Sequence, residues 1–361
     1  MVASDLTSSQ QKALLAVAQT CASLSFLGSA FIVTCWLRYQ HLRKLSFTLV
    51  LWLAVADIGT DITYFMGDPS KPELNNSACT AQASLQQFFQ MSQILWTVAI
   101  ASVLYNVTVN LRIYHDGEEK ALMRRFHVFV WGGALVSMLL PFTSNSYGPA
   151  GPWCWIKMYP PRVGIMWRYV VLYVPLWVAI LYNIRVYVRI LQVLRRFSAG
   201  IDGVGASGAS VGPSAEQHAR MAKFMQRLLW YPAVLIIAWT FATINRIYDI
   251  FHPSNPIFGL FFMHQMLLSL QGLMNAVVYG STDSVRSAVM KERCLVCRRG
   301  TSDGIDGLDP DEDYVDNTGV RMRDMGDSGP KVFQSGLPAP NDPNDLEDVE
   351  IYNAADYTVT V

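Results

Sequence analysis

The chain has 361 residues, of which 52% are apolar and only 16% charged. A soluble domain carries about a quarter charged residues, so most of this chain is excluded from being a water-soluble globule. The formal net charge of zero averages a long apolar stretch, about 11–280, with a polar acidic one, 301–361; it gives no reason to expect a nucleic-acid partner.

A membrane-spanning helix needs about 20 mostly apolar residues to cross roughly 30 Å of hydrocarbon. Seven runs qualify: about 11–37, 45–66, 84–113, 126–143, 166–191, 225–251 and 257–280. The expected fold is an all-α membrane protein, a seven-transmembrane helix bundle over 11–280 embedded in a lipid bilayer. Residues 1–10, MVASDLTSSQ, lack a basic n-region, so no cleavable signal peptide is expected and run one reads as a signal anchor.

Lys and Arg alternate between sparse and dense gaps. The gap after run one carries Arg38, Arg43 and Lys44, that after run three Arg124 and Arg125, and that after run five Arg195 and Arg196. The other side has only scattered cations, among them Lys12, Lys71, Lys157, Arg162 and Arg168. The positive-inside rule then puts the N-terminus outside and the C-terminus in the cytoplasm of a plasma-membrane protein. The basic gaps are candidates for facing a cytoplasmic partner, or they enforce topology and touch anionic lipid.

Run one contains Cys21 and Cys35, which read as small packing residues. Run two, LAVADIGTDITYF, sets Asp57 and Asp61 four apart, on one helix face. Ionisable groups inside a membrane are expensive, so the pair reads as an ion or switch site, or as an interhelical hydrogen-bond anchor. Asn75-Asn76-Ser77, in the next gap, is a glycosylation sequon at Asn75. Cys79 precedes run three, whose Asn106 and Asn110 are again four apart.

The loop GPAGPWCWIK, 148–157, places Cys154 between Trp153 and Trp155. Cys79 and Cys154 are the two cysteines left on the oxidising side, and we expect them to pair, the alternative being two free thiols. The cystine would stiffen a lid over the bundle. The tryptophans are either interfacial belt residues or a stacking surface for a planar ligand.

Residues 198–217, rich in Gly, Ser and Ala, read as a flexible linker. Run six holds Arg246, which either snorkels to the interface or offers an anion contact at the bundle mouth with Lys157, Arg162 or Arg168. Run seven holds His264, Gln265, Gln271 and Asn275. Pro141, Pro175 and Pro232 permit kinks.

Residues 281–300 have apolar positions Val285, Val289 and Leu295 among basic ones, which suits a short amphipathic helix on the membrane face. Its Cys294 and Cys297 are candidates for palmitoylation, or stay unmodified. Residues 301–361 read as a disordered acidic tail. The final Val359-Thr360-Val361 weakly fits a groove that accepts a C-terminal strand.

Run seven has no lysine, so a Schiff-base retinal pump is disfavoured. A transporter built from repeats lacks its repeat, and a channel lacks a filter-like loop. No nucleophile–base–orienter set, Walker loop or metal cluster is present, so neither an enzyme nor a cofactor is expected. A receptor remains, with a seven-helix transporter or channel as the alternative.

The segments LRKLSFTLVLWLAVADIGTDITYFMG, CTAQASLQQFFQMSQILWTVAIASVLY, GPAGPWCWI, INRIYDIF and LQGLMNAVVYG resemble the cyclic AMP receptor family of G-protein-coupled receptors (class E) over about 11–300. The resemblance implies coupling to a heterotrimeric G protein through the inner loops. It also implies the Cys79–Cys154 cystine. Run three ends NLRIYHDG, without the Asp-Arg-Tyr triplet of rhodopsin-like receptors, and the tail is Asp-rich where amoeban members are Ser-rich. If the ligand is cyclic AMP, Arg246, Lys157, Arg162 and Arg168 are candidates for its phosphate, and Trp153 and Trp155 for its purine.

Overall fold

The computed structural model describes residues 7–66, 76–150, 153–157, 160–206, 230–252 and 257–290. The chain divides after Met290, and the segment Lys291–Thr360 lies outside the described residues. The acidic tail, Leu295, Cys294, Cys297 and Asn75 therefore fall outside them too.

Within the bundle the helices are α1 Ser8–Arg38, α2 Leu45–Phe65, α3 Asn76–Thr108 and α4 Asp116–Leu139. Next come α5 Pro161–Arg168, a π turn over Tyr169–Tyr173, and α6 Val174–Ala206. They are followed by α7 Trp230–Phe251, α8 Phe258–Ser269 and α9 Gln271–Gly280. Five stretches are long and apolar enough to cross a membrane: Ser8–Arg38, Leu45–Phe65, Ser77–Thr108, Gly117–Ser144 and Arg162–Val193. The pair α8–α9, bent by 46°, makes a sixth. α7, 22 residues long and carrying Asn245, Arg246 and Asp249, supplies the seventh.

Several boundaries differ from those expected, for local physical reasons. α1 starts at Ser8, three residues before the apolar run, because Thr7 and Gln10 form a capping box: the Gln10 N–H donates to Thr7 Oγ1, and the Thr7 N–H to Gln10 Oε1. α3 begins eight residues before the apolar run, since its first turns bury glutamines and Cys79 instead of hydrocarbon. It ends at Thr108, and Leu111 beyond it takes a left-handed φ of 50°. α4 begins ten residues early, at a first turn whose Glu118 and Glu119 complement the positive helix N-terminus.

Residues 198–206, expected as linker, continue α6 as helix. Extending an existing helix adds a hydrogen bond per residue ordered, whereas starting one does not, so Gly and Ser at a helix end are carried along. Residues 207–229 lie outside the described ones. Run seven breaks at Leu270, whose φ and ψ of −93° and 1° leave the helical region. Residues 283–290 are helical and bury Val285 and Ala288 against the bundle, as an amphipathic eighth helix should; 291–300 lie outside the described residues.

Among the described residues the interior has two small apolar clusters beside α1 and two large ones, one toward each end. One gathers Leu49, Val50, Leu53, Trp96, Ile100, Val186, Tyr231 and Tyr279. The other gathers Cys79, Ile94, Trp153, Trp155, Val171, Leu176, Leu235 and Trp239. Along α2 and α3 the residues between them are polar: Asp57, Asp61 and Gln93 are all buried. Small residues let α1 approach α9 closely: a Cβ on Gly28 would meet Ala276 and Leu273 at 3.0 Å.

Candidate ligand cavity and the polar layer beneath it

At one end of the bundle two three-residue strands, β1 Tyr147–Pro149 and β2 Cys154–Ile156, pair antiparallel with Gly148 opposite Trp155. Cys79 of α3 and Cys154 of β2 form a disulfide across 75 residues, with their Cα atoms 5.4 Å apart. The expected cystine is therefore present, and it pins the hairpin to α3. We refer to this as the disulfide end.

The hairpin is buried and held by side chains that the sequence offered no obvious reason to single out. Gln82 Oε1 accepts from the Cys154 N–H at 3.4 Å, and its Nε2 donates to Thr63 O at 2.9 Å. Gln87 Oε1 accepts from Trp155 Nε1 at 2.9 Å, while its Nε2 donates to Ser137 Oγ and Val171 O. Val171 lies in the π turn, where the regular helical ladder is interrupted and a carbonyl is free to be bonded from outside. Ser137 Oγ donates to the same carbonyl at 3.0 Å. The visible signal for this scaffold was the glutamine-rich start of α3, with Gln82, Gln86 and Gln90 at helical spacing on one face. Tyr147 donates its hydroxyl to Met138 O at 2.8 Å, and burial pushes its phenol above the ordinary range.

Under the hairpin lies an open-mouthed cavity of about 310 Å³, counting the solvent space at its mouth. Its walls include Trp153 and Trp155 from the hairpin, Gln86 and Gln90 from α3, Trp239 and Arg246 from α7, and His264 and Gln265 from α8. Trp153 meets His264 edge to face, with ring centroids 6.4 Å apart. His264 is hydrogen-bonded to the buried Asn245 through Nδ1. Arg246 is buried, its guanidinium 5.8 Å from the Phe261 ring, so it does not reach out along the surface as a snorkelling side chain would. Buried polar atoms without a partner include Gln86 Oε1 and Trp239 Nε1, both on wall residues.

The other predicted cations stand elsewhere. Arg168 is buried, but its Nε donates to Ile156 O at 2.9 Å and its guanidinium stacks 5.1 Å over Trp155, so it braces the hairpin from behind. Arg162 is exposed at the start of α5, and the Lys157 chain runs beside Gly148. Neither is among the residues that line the cavity.

Deeper in the bundle Asp57 joins three helices. Its Oδ1 accepts from Gln93 Nε2 at 2.7 Å and its Oδ2 from Asn275 Nδ2 at 2.8 Å. Asp61 and Asn275 are equally buried, as a shared inward face requires. Asn106 and Asn110 are not part of this layer. Asn110 lies past the end of α3, exposed, and donates to Asn106 Oδ1 at 2.8 Å. The pair lies at the C-terminal end of α3, apart from Asp57 and Asp61.

At the opposite end, Arg38, Arg124, Arg125 and Arg195 are exposed and Lys44 is half-buried at the start of α2. Arg43 is spoken for: it donates to Trp36 O and Leu37 O, closing the C-terminus of α1, and stacks over the Trp36 ring. The side chain of Arg196 lies outside the described residues.

The family profile described as slime mold cyclic AMP receptor matches residues 4–282. The chain belongs to the slime mold cyclic AMP receptor family. A relative, "G-protein coupled receptor 1" of Arabidopsis thaliana, is 35% identical over 284 residues, which cover 79% of this chain and 82% of the relative. "Cyclic AMP receptor-like protein A" of Dictyostelium discoideum is 23% identical over 284 residues, 76% of this chain and 66% of that one. In three dimensions the chain superposes on squid rhodopsin with a TM-score of 0.64 at 12% identity, over 79% of this chain and 81% of that one. The fold of this cyclic AMP receptor family member is thus the seven-helix receptor bundle, and the protein is a multi-pass membrane receptor rather than an enzyme.

Proposed function

We propose that the chain is a plasma-membrane receptor that binds a small extracellular ligand in the cavity beneath the hairpin and activates a heterotrimeric G protein at the opposite end. The N-terminus is then extracellular and the C-terminus cytoplasmic, in line with the Lys/Arg bias of the gaps. The observation that carries the reading is the cavity wall: one buried guanidinium, Arg246, beside indole faces and glutamine amides, under a disulfide-braced lid. A guanidinium suits a phosphate or carboxylate, and indoles suit a flat heterocycle. An anionic purine such as cyclic AMP has both parts, and the printed names of the Dictyostelium relatives make it the first ligand to try.

Activation is a population shift: a ligand that contacts the hairpin, α3, α7 and α8 more favourably in one packing stabilises that packing. Cyclic-AMP-dependent nucleotide exchange on a G protein, measured in membranes, tests the reading. Exchange that rises with cyclic AMP, and binding that drops at least about tenfold in Arg246→Ala, are expected for a charge-assisted contact. Solute flux into proteoliposomes lacking G protein would favour the transporter alternative instead.

A further inference from the structure

The cavity under the hairpin keeps two polar groups idle. Gln86 is 4% exposed, and its amide makes no hydrogen bond among the described residues. Trp239 is 1% exposed, and its Nε1–H has no acceptor among them. Both residues line the cavity, one from α3 and the other from α7. An unpaired polar group in the interior destabilises the fold, so each one calls for an explanation.

Packing alone does not supply it. The neighbouring glutamines of α3 are engaged: Gln82 bonds the Cys154 N–H and Thr63 O, Gln87 bonds Trp155, Ser137 and Val171, and Gln93 bonds Asp57. Turning the Gln86 amide over only exchanges its oxygen and nitrogen at the same unfilled places. A leucine of nearly the same volume would fill the position with no unpaired atom. Trp239 packs in the apolar cluster with Trp153, Leu176 and Leu235, and for that it needs its ring and not its N–H. The polarity of both groups is surplus to the fold.

We propose that Gln86 and Trp239 read the uncharged part of the ligand: Gln86 Oε1 accepts from a ligand N–H or O–H, and Trp239 Nε1 donates to a ligand nitrogen or oxygen. This deepens, and rests on, the reading of the cavity as the ligand site. Arg246, on the same wall, has donors only and attracts any anion. The amide oxygen supplies the acceptor that a guanidinium lacks. The ligand class is then an anion whose body carries both a donor and an acceptor, as a nucleotide base does. A fatty acid, or another anion with a purely apolar body, leaves both groups unpaired, and a site built to hydrogen-bond rejects such a ligand strongly. The guanidinium therefore sets attraction, and the glutamine and indole set selectivity.

The test pairs two measurements on the full-length receptor: the thermal midpoint without ligand, and the binding of labelled cyclic AMP in membranes. Gln86→Leu removes the idle amide, so the midpoint is expected to rise by about 2 °C while affinity for cyclic AMP falls about tenfold. Gln87→Leu, which removes a fully bonded amide, should move the midpoint the other way. Trp239→Phe keeps an aromatic ring, drops the N–H and should weaken binding about fivefold or more. Affinity unchanged in both Gln86→Leu and Trp239→Phe would mean that only water meets these groups; that result overturns the proposal and leaves the cavity as the cyclic AMP site. A midpoint that falls in Gln86→Leu as it does in Gln87→Leu makes the amide structural and overturns it as well. Absence of cyclic AMP binding to the native receptor sinks the nucleotide reading separately. The ligand-free midpoint of Gln86→Leu then decides this proposal alone: a rise supports it, and no change or a fall overturns it.

Discussion

Gln87 touches three elements with one amide: the Trp155 indole of the hairpin, the Ser137 hydroxyl of α4 and the Val171 carbonyl of the π turn. Replacing it with Leu keeps the volume and strands the buried Trp155 N–H. The penalty for such an orphaned donor is about 1–3 kcal/mol, so Gln87→Leu should lower the unfolding midpoint measurably in a thermal scan. Ser144→Ala removes the acceptor of the half-buried Trp167 indole and the hydroxyl partner of the buried Ser146, so it too should lower the midpoint, at a cost of about 1 kcal/mol. The sequence made the Asp57–Asp61 pair legible, because carboxylates inside an apolar run stand out at once. Gln87 was not legible, since glutamine is neutral and its value arises only when α3 lies against a hairpin 68 residues away. The same limit applies to the cations: Arg168 and Arg246 looked alike as residue types. Only the packing assigns the first to a carbonyl of β2 and the second to the cavity.

At the scale of elements, glycines distinguish faces that apolar composition does not. Gly272→Ala places a methyl group on two serine hydroxyls and forces α9 away from α1; overpacking of this kind costs about 1–3 kcal/mol. Gly132, on the outer face of α4, has nothing within 4 Å, so Gly132→Ala should be neutral or stabilising by up to about 1 kcal/mol. A wild-type-like Gly272→Ala would mean that the α1–α9 contact is loose. The hairpin invites the parallel experiment. Cys79→Ser with Cys154→Ser frees a strand otherwise tied to α3, with an expected loss of about 2–5 kcal/mol and weaker ligand binding. The apolar runs located all seven crossings because hydrocarbon solvent imposes a length. Their ends were misjudged wherever something other than hydrophobicity decides them: a capping box at Thr7, buried glutamines at the start of α3, helix propagation through 198–206.

On the scale of the whole molecule the two ends have different tasks. The cavity and its lid occupy the disulfide end; the exposed arginines of α4 and α6 occupy the other, and α3, 33 residues long, runs between them. A helix of that length extends roughly 50 Å, several times the Debye length of about 8 Å, so charges at one end do not act directly on a ligand at the other. Any coupling must pass through a change of packing, and such coupling is reciprocal: if ligand favours the G-protein-binding arrangement, G protein must raise ligand affinity by the same factor. Arg124→Glu combined with Arg125→Glu reverses two exposed charges without touching the core. Ligand affinity of this variant without G protein should equal that of the native receptor. The rise in affinity on adding G protein should vanish, together with most ligand-driven nucleotide exchange. Loss of affinity in the absence of G protein would show instead that these arginines support the fold of α4, and the basic rim would then have no claim to be the coupling surface.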